Sequence, residues 1–335
     1  MDTQRFLELL STAAPSGAEQ GMAALLSRLL PEYEVKSDAL GSVLVTVKAE
    51  GERHLLLEAH MDQVGFVVTQ VMPEGFVRLA PVGGIDPRLM PGTRLRFLDG
   101  DGTGVVCAVP PHLKQGEKDK VQPVTDCLVD VGPAAAKRIP VGGRAVYAGK
   151  PVRFADGTIA SPALDNRAGM AVLLETIDRL RKDSGPYAVS ALFAVREEVG
   201  NAGGAVTGSA ALSPDLCVAV DVSFGMQPGV QAHKCGKMGG GPMIGFAPAL
   251  DTQLCRALVN TAQQEGLPFQ REIMAGDTST DADGILSVGC GVRTALLSVP
   301  IRNMHGPLET VCVQDIDSTA ALLAAAVRKL SLIHI

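Results

Sequence analysis

The sequence predicts an α/β protein: a mixed sheet covered by helices, with a small all-β barrel inserted into it. Two observations carry this. Up to about residue 64, and again from about 159 to the end, apolar strand-like runs alternate with segments of helical spacing, the rhythm of a sheet covered on both faces. Between Gly65 and Ala160 that rhythm stops, and short β-rich pieces separated by turn residues follow one another with no helix among them. The expected division is therefore residues 1–64 plus 159–335 for the α/β part and 65–158 for the insert.

The elements follow in order. Residues 3–12 and 18–30 carry helical spacing, through Phe6, Leu9 and Leu10 in the first and Met22, Leu25, Leu26, Leu29 and Leu30 in the second. Residues 41–48 alternate as a strand. His54 to His60 is an apolar run ending in polar residues, the pattern of a buried sheet strand. In the insert, strands are expected at 65–71, 76–79, 94–98, 104–109, 146–147 and 151–154, with turns at Pro73–Gly75, Asp99–Gly102 and Asp156–Gly157. The polar stretch from His112 to Lys120 reads as a mobile loop. Beyond it come a helix at 166–180, a strand at 189–195, a helix from Gly203, a strand at 216–220 that ends at Asp221, a helix at 254–266, a strand at 294–299 and a closing helix at 316–330. The terminal Ser331–Ile335 is assigned no role.

Composition narrows the function. With 335 residues, 46% of them hydrophobic, the chain can bury a large core. The net charge of −6 disfavours nucleic acid and an anionic membrane as partners. There is no tryptophan and few other aromatic residues, so no base- or sugar-stacking platform is expected. No basic segment followed by an apolar stretch opens the chain and no window spans a membrane, so a cytoplasmic protein is expected. The seven cysteines are scattered, without a CxxC pair, which excludes a disulfide framework and a cysteine zinc site.

Five places put a potential metal ligand at the end of an apolar strand or in the loop beside it: His60 and Asp62, Asp165, Glu197 and Glu198, Asp221, and His305. Ligands in α/β sheets gather outside the carboxyl ends of strands, so residues far apart in sequence can meet there. Two histidines with several carboxylates and no thiolate suit zinc, cobalt or manganese. A carboxylate has two oxygens to bridge two ions, and one left off the metals can serve as general base. Each residue also has an ordinary reading. His60 would be a hydrogen-bonded core histidine, Asp165 a helix N-cap, Glu197–Glu198 a solvated acidic pair, Asp221 a strand end and His305 a loop residue. His54, His112, His233 and His334 have no supporting neighbours. Spacing alone thus leaves a metal hydrolase as one reading among others.

The stretches AHMDQVGFVV (59–68), SPALDNRAGMAVLLE (161–175), FAVREEVGNAGG (193–204), VAVDVSFG (218–225), GGGPMI (239–244), STDADGI (279–285) and SVPIRNMHGPLETV (298–311) together resemble the M42 family of metallo-aminopeptidases, the tetrahedral TET aminopeptidases. They fall in family order over nearly the whole chain. The resemblance implies a zinc-peptidase-like α/β domain with a PDZ-like insert that mediates dimerisation. Six dimers would form a hollow dodecamer with inward-facing sites, reached by unfolded peptides. It implies two divalent ions per subunit, zinc or cobalt, with manganese also compatible. His60, Asp165 and Asp221 would hold one ion, Asp165, Glu198 and His305 the other. Asp165 would be the bridge, Glu197 the general base and Asp62 the residue orienting His60. The peptide after Asp165 would be cis. The chain departs from the family pattern at Gln63, Asn166 and Gly306, where Glu, Asp and Ser are usual. The implied activity is hydrolysis of N-terminal residues from peptides. A deacylase or dipeptidase of the same two-metal clan, an endoglucanase and an inactive assembly protein are the alternatives. The pocket for the N-terminal residue is expected near Gly276–Ile285 and Gly239–Gly241.

Overall fold

The structure is a computed structural model and describes residues 1–100, 102–113, 121–200 and 202–329. Residues 114–120 of the polar stretch and the Ser331–Ile335 terminus lie outside the described residues.

The four strands Ala188–Ala194, His54–His60, Leu216–Phe224 and Arg293–Arg302 lie side by side and parallel. They are near-continuous apolar runs because helices cover both faces. Alternation along the strands sorts their side chains between two cores. Leu55, Leu57 and Ala59 join the large core under the helices Thr3–Ser11, Leu164–Leu180, Thr252–Glu265 and Val313–Lys329, whereas Leu56 packs with Leu192, Ala194, Cys217 and Ile285 on the other face. Val43–Lys48 and Glu34–Ser37 extend the sheet antiparallel at one edge. At the other edge stand Glu309–Cys312, Thr158–Ser161 and Val152–Arg153. Met243–Phe246 pairs with the Arg293–Arg302 strand and carries Gln270–Ile273 beside it.

The insert is a closed six-stranded barrel of Gly65–Val71, Phe76–Val82, Leu128–Asp130, Gly102–Val106, Arg94–Phe97 and Arg144–Tyr147. Its own core is built on Phe66, Val68, Leu79, Leu95, Phe97 and Val129.

Several sequence expectations are corrected. The β-rich stretch does contain a helix, Gly132–Ala136, one short turn entered through Pro133. The strand expected at 151–154 pairs with Thr158–Ser161 in the large sheet, not in the barrel. The strand expected to stop at Asp221 runs on to Phe224, so Asp221 is an in-strand residue. The closing helix starts at Val313 rather than Ile316.

One helix end illustrates how local chemistry fixes these elements. Asp251 caps Thr252–Glu265 by accepting from the Leu254 amide at 2.8 Å, and the Arg293 guanidinium holds both its oxygens, at 2.7 and 3.2 Å. Asp251→Ala removes the cap and leaves Arg293 with Gln253 Oε1 as its remaining side-chain acceptor. It is expected to cost about 1–2 kcal/mol, read as a lower midpoint in urea unfolding with unchanged metal content.

Candidate metal centre

The parallel strands deliver their carboxyl ends to one edge, and the acidic and histidine residues collect there. His60 closes its strand and is 2% exposed. Its Nε2 lies 3.1 Å from Asp165 Oδ1 and 3.5 Å from Asp221 Oδ1. Asp62 Oδ1 stands 3.5 Å from His60 Nδ1. On the far side, His305 Nε2 lies 3.2 Å from Asp165 Oδ2 and 3.3 Å from Glu198 Oε2. Each oxygen of Asp165 thus faces a different histidine. Among the described residues these side chains form two groups with ligand atoms close enough to share an ion, His60–Asp165–Asp221 and Asp165–Glu198–His305.

Asp165 is free for this because its neighbour takes over the helix cap. Asp165 and Asn166 have non-helical backbone angles at the entry to Leu164–Leu180, and the peptide between them is cis. Asn166 Oδ1 accepts from the Gly169 amide at 2.9 Å, three residues on, and its amide donates to the Val220 carbonyl at 2.9 Å. The N-cap reading therefore belongs to Asn166, which gives that position work without a second carboxylate.

The Glu197–Glu198 turn is pinned by Asp62, which is fully buried. Asp62 accepts from the amides of Glu197 at 3.1 Å and Glu198 at 3.2 Å and from Ser16 Oγ at 2.6 Å. Burial alone would raise the Asp62 carboxyl. The neighbouring His60 ring and these donors outweigh it and hold it below its ordinary range. Glu198 points into the second group. Glu197 belongs to neither, and burial among Asp221, Asp281 and Asp165 pushes its carboxyl up to about 8.

Sequence reading missed five contributors. Glu309, 1% exposed, accepts from the Asp165 amide at 2.9 Å and the His305 amide at 2.6 Å, and so sets the backbone of two of the clustered residues at once. Its only sequence signal is its place four residues after His305. Arg167 is wholly buried, donates to the carbonyls of Met61 and Thr12 and, at 3.1 Å, to Gln63 Oε1. Gln63 Oε1 also accepts from the Ala14 amide at 3.1 Å, so the oxygen of this departure from the family pattern has two donors. Glu58 and Asp281 are buried beside His60 and Asp221 and face one another, with no further partner for Glu58 Oε1 or the Asp281 oxygens. Gly84, at the exit of a barrel strand, gives its carbonyl to His305 Nδ1 at 2.9 Å. That bond makes Nδ1 the donor to Gly84 and leaves Nε2 as the atom facing Asp165 and Glu198, the one free to bind an ion. Of the histidines set aside, His54 bonds Ser190 Oγ and the Leu212 carbonyl, an ordinary structural role.

These residues fit divalent cations. Seven carboxyls are buried here, Glu58, Asp62, Asp165, Glu198, Asp221, Asp281 and Glu309. The cationic side chains set among them are Arg167 and the two histidines. Burial and mutual repulsion push the carboxyls of Glu58, Glu198, Asp281 and Glu309 up, so this many can be ionised together only where a cation compensates them. Asp165 Oδ1 and Glu198 Oε1 are buried without hydrogen-bond partners, and the nitrogen and oxygen donors suit borderline metals.

A residue must be small where the barrel meets this centre. A Cβ on Gly84 would lie 2.9 Å from His305 Nδ1. Gly84→Ala is expected to tilt His305, weakening one ion by about 10- to 100-fold with little change in Tm. Titration of metal content against a chelator reads this directly.

A family model described as M42 glutamyl aminopeptidase matches residues 41–322. The lysyl aminopeptidase of Pyrococcus furiosus is 29% identical over 342 residues, covering 98% of this chain and 98% of that one. The TET aminopeptidase of a marine sediment archaeon of the Thaumarchaeota superposes with a TM-score of 0.92 at 27% identity, over 98% of this chain and 96% of that one. A TET peptidase of Pyrococcus horikoshii, described as able to assemble into a tetrahedron or a large octahedral shell, superposes with a TM-score of 0.84 at 27% identity, over 96% of this chain and 98% of that one.

Proposed function

The chain belongs to the M42 glutamyl aminopeptidase family, and from that premise we propose that it removes residues one at a time from peptide N-termini at a pair of divalent ions, zinc or cobalt. The observation that carries the number two is Asp165, whose oxygens face separate histidines at 3.1 and 3.2 Å. His60, Asp165 and Asp221 hold one ion, and Asp165, Glu198 and His305 the other. When bound, such ions would supply Lewis acidity and lower the pKa of a bound water.

The chain's own residues do the rest. Glu197, beside both groups and a member of neither, takes the proton of the attacking water and returns it to the leaving amine. Asp62 positions that step by clamping the amides of Glu197 and Glu198. Glu309 and Gly84 fix the second histidine. A division into an α/β body and an inserted barrel is supported by the barrel's closure and separate core, with Val152–Arg153 and Thr158 going to the body because they pair in the large sheet. The insert is the piece we assign to dimer contact, and dimers to a dodecamer, by likeness to the TET assemblies. A cytoplasmic location is part of the same proposal. Among the described residues no helix is long and apolar enough to cross a membrane.

Cleavage of a panel of aminoacyl-p-nitroanilides by chelator-stripped protein, with and without added zinc, cobalt or manganese, tests this. Release that needs two equivalents of one metal supports the dinuclear reading. Full activity with one equivalent removes it.

A further inference from the structure

A peptide whose N-terminal amine and first carbonyl sit between the two ligand groups must send its first side chain to one flank. The His305 flank is shut. A Cβ on Gly83 would meet Val64 Cγ1 at 2.8 Å and one on Gly84 would meet His305, so the barrel's exit packs directly against Glu198 and His305. The opposite flank is the continuation of the sheet beyond Asp221. Asp221 and Ser298 are register partners on neighbouring parallel strands, and Ser223 lies two residues past Asp221, so the three side chains share a face.

Over that row stands Glu272, on the strand Gln270–Ile273. It accepts from Ser298 Oγ at 2.8 Å and from Ser223 Oγ. Its carboxylate therefore sits over the two serines that adjoin Asp221, Ser298 across the strand pair and Ser223 two residues on. Among the described residues no cation pairs with it, and the charge that acts on it is that of Asp221, also negative. Two hydroxyls hold the carboxylate in place without neutralising it. A half-buried anion kept this way is costly to maintain and favours an arriving cation. Its strand leads on to exposed Gly276 and Asp277, and the space beside Gly276 is open.

We propose that Glu272 selects a positively charged first residue, so that the preferred substrates are peptides beginning with lysine or arginine. The inference rests on the aminopeptidase reading above and deepens it. The amine or guanidinium of the side chain would pair with Glu272 while the α-amino group remains at the metal centre. An acidic first residue would meet Glu272 and Asp277 with like charge and be rejected.

The test compares Lys-, Arg-, Leu- and Glu-p-nitroanilide with the metal-loaded protein and with Glu272→Gln, which keeps the shape and an acceptor for the serines. Wild type is expected to favour Lys and Arg. In Glu272→Gln the Lys-to-Leu ratio of kcat/KM should fall about 10- to 100-fold, mostly through KM. A structural role alone would lower Tm and leave that ratio unchanged, which overturns the proposal. Wild-type preference for Leu or Glu overturns it without touching the aminopeptidase reading, and keeps it falsifiable should the variant not fold. Release from no substrate with any metal removes both.

Discussion

Glu197→Gln is expected to lower kcat by about two to four orders of magnitude while leaving metal content as in wild type. The reason is positional. Glu197 lies outside both ligand groups, yet its amide is bonded to the same Asp62 that clamps Glu198. The amide side chain of glutamine preserves shape and polarity but cannot accept a proton. Loss in kcat at an unchanged ion stoichiometry would mark a proton carrier. Loss of an ion would instead mark Glu197 as a ligand, and near-normal turnover would remove it from the chemistry altogether.

The second large effect belongs to Asp165. Asp165→Ala takes a donor from both groups at once, so both ions should be lost on dialysis and activity should fall to background. His305→Ala, by contrast, should release one ion. Elemental analysis of the dialysed proteins separates these outcomes, and an Asp165→Ala protein that retains two ions would refute the bridge. The thermal response is a further readout. Ions that bind only the folded protein stabilise it by about 2.7 kcal/mol at a hundredfold excess over Kd. Wild type should therefore gain several degrees in Tm on metal addition and Asp165→Ala should gain little.

What the sequence made legible follows from how local each signal is. His54–His60 and Gly65–Val71 occupy the expected residues because an unbroken apolar run and an alternating one declare themselves without partners. Glu34–Ser37 was not foreseen because it is a polar edge strand with little to bury. Met243–Phe246 and Gln270–Ile273 are too short to show a period. The seven singled-out residues, His60, Asp62, Asp165, Glu197, Glu198, Asp221 and His305, stand at strand ends, within strands or in adjoining loops, where a polar residue after apolar ones is conspicuous. Glu309, Arg167, Glu58 and Asp281 gave no such signal. Their roles depend on what approaches from distant segments, as when Glu309 meets the Asp165 amide 144 residues away. The cap exchange between Asp165 and Asn166 was hidden for a subtler reason. Either residue can cap a helix, and only the backbone entry angle decides between them.

The single carbonyl that Gly84 lends to His305 has a consequence for the protein's architecture. The barrel is not baggage carried by the α/β body; it is a strut bearing on the catalytic edge. Without it His305 Nδ1 would lose its Gly84 acceptor. A displacement of the strut, such as two copies pressing together through their barrels, would be transmitted to that histidine. Were the barrels the dimer contact proposed above, association would bear on turnover through that one bond.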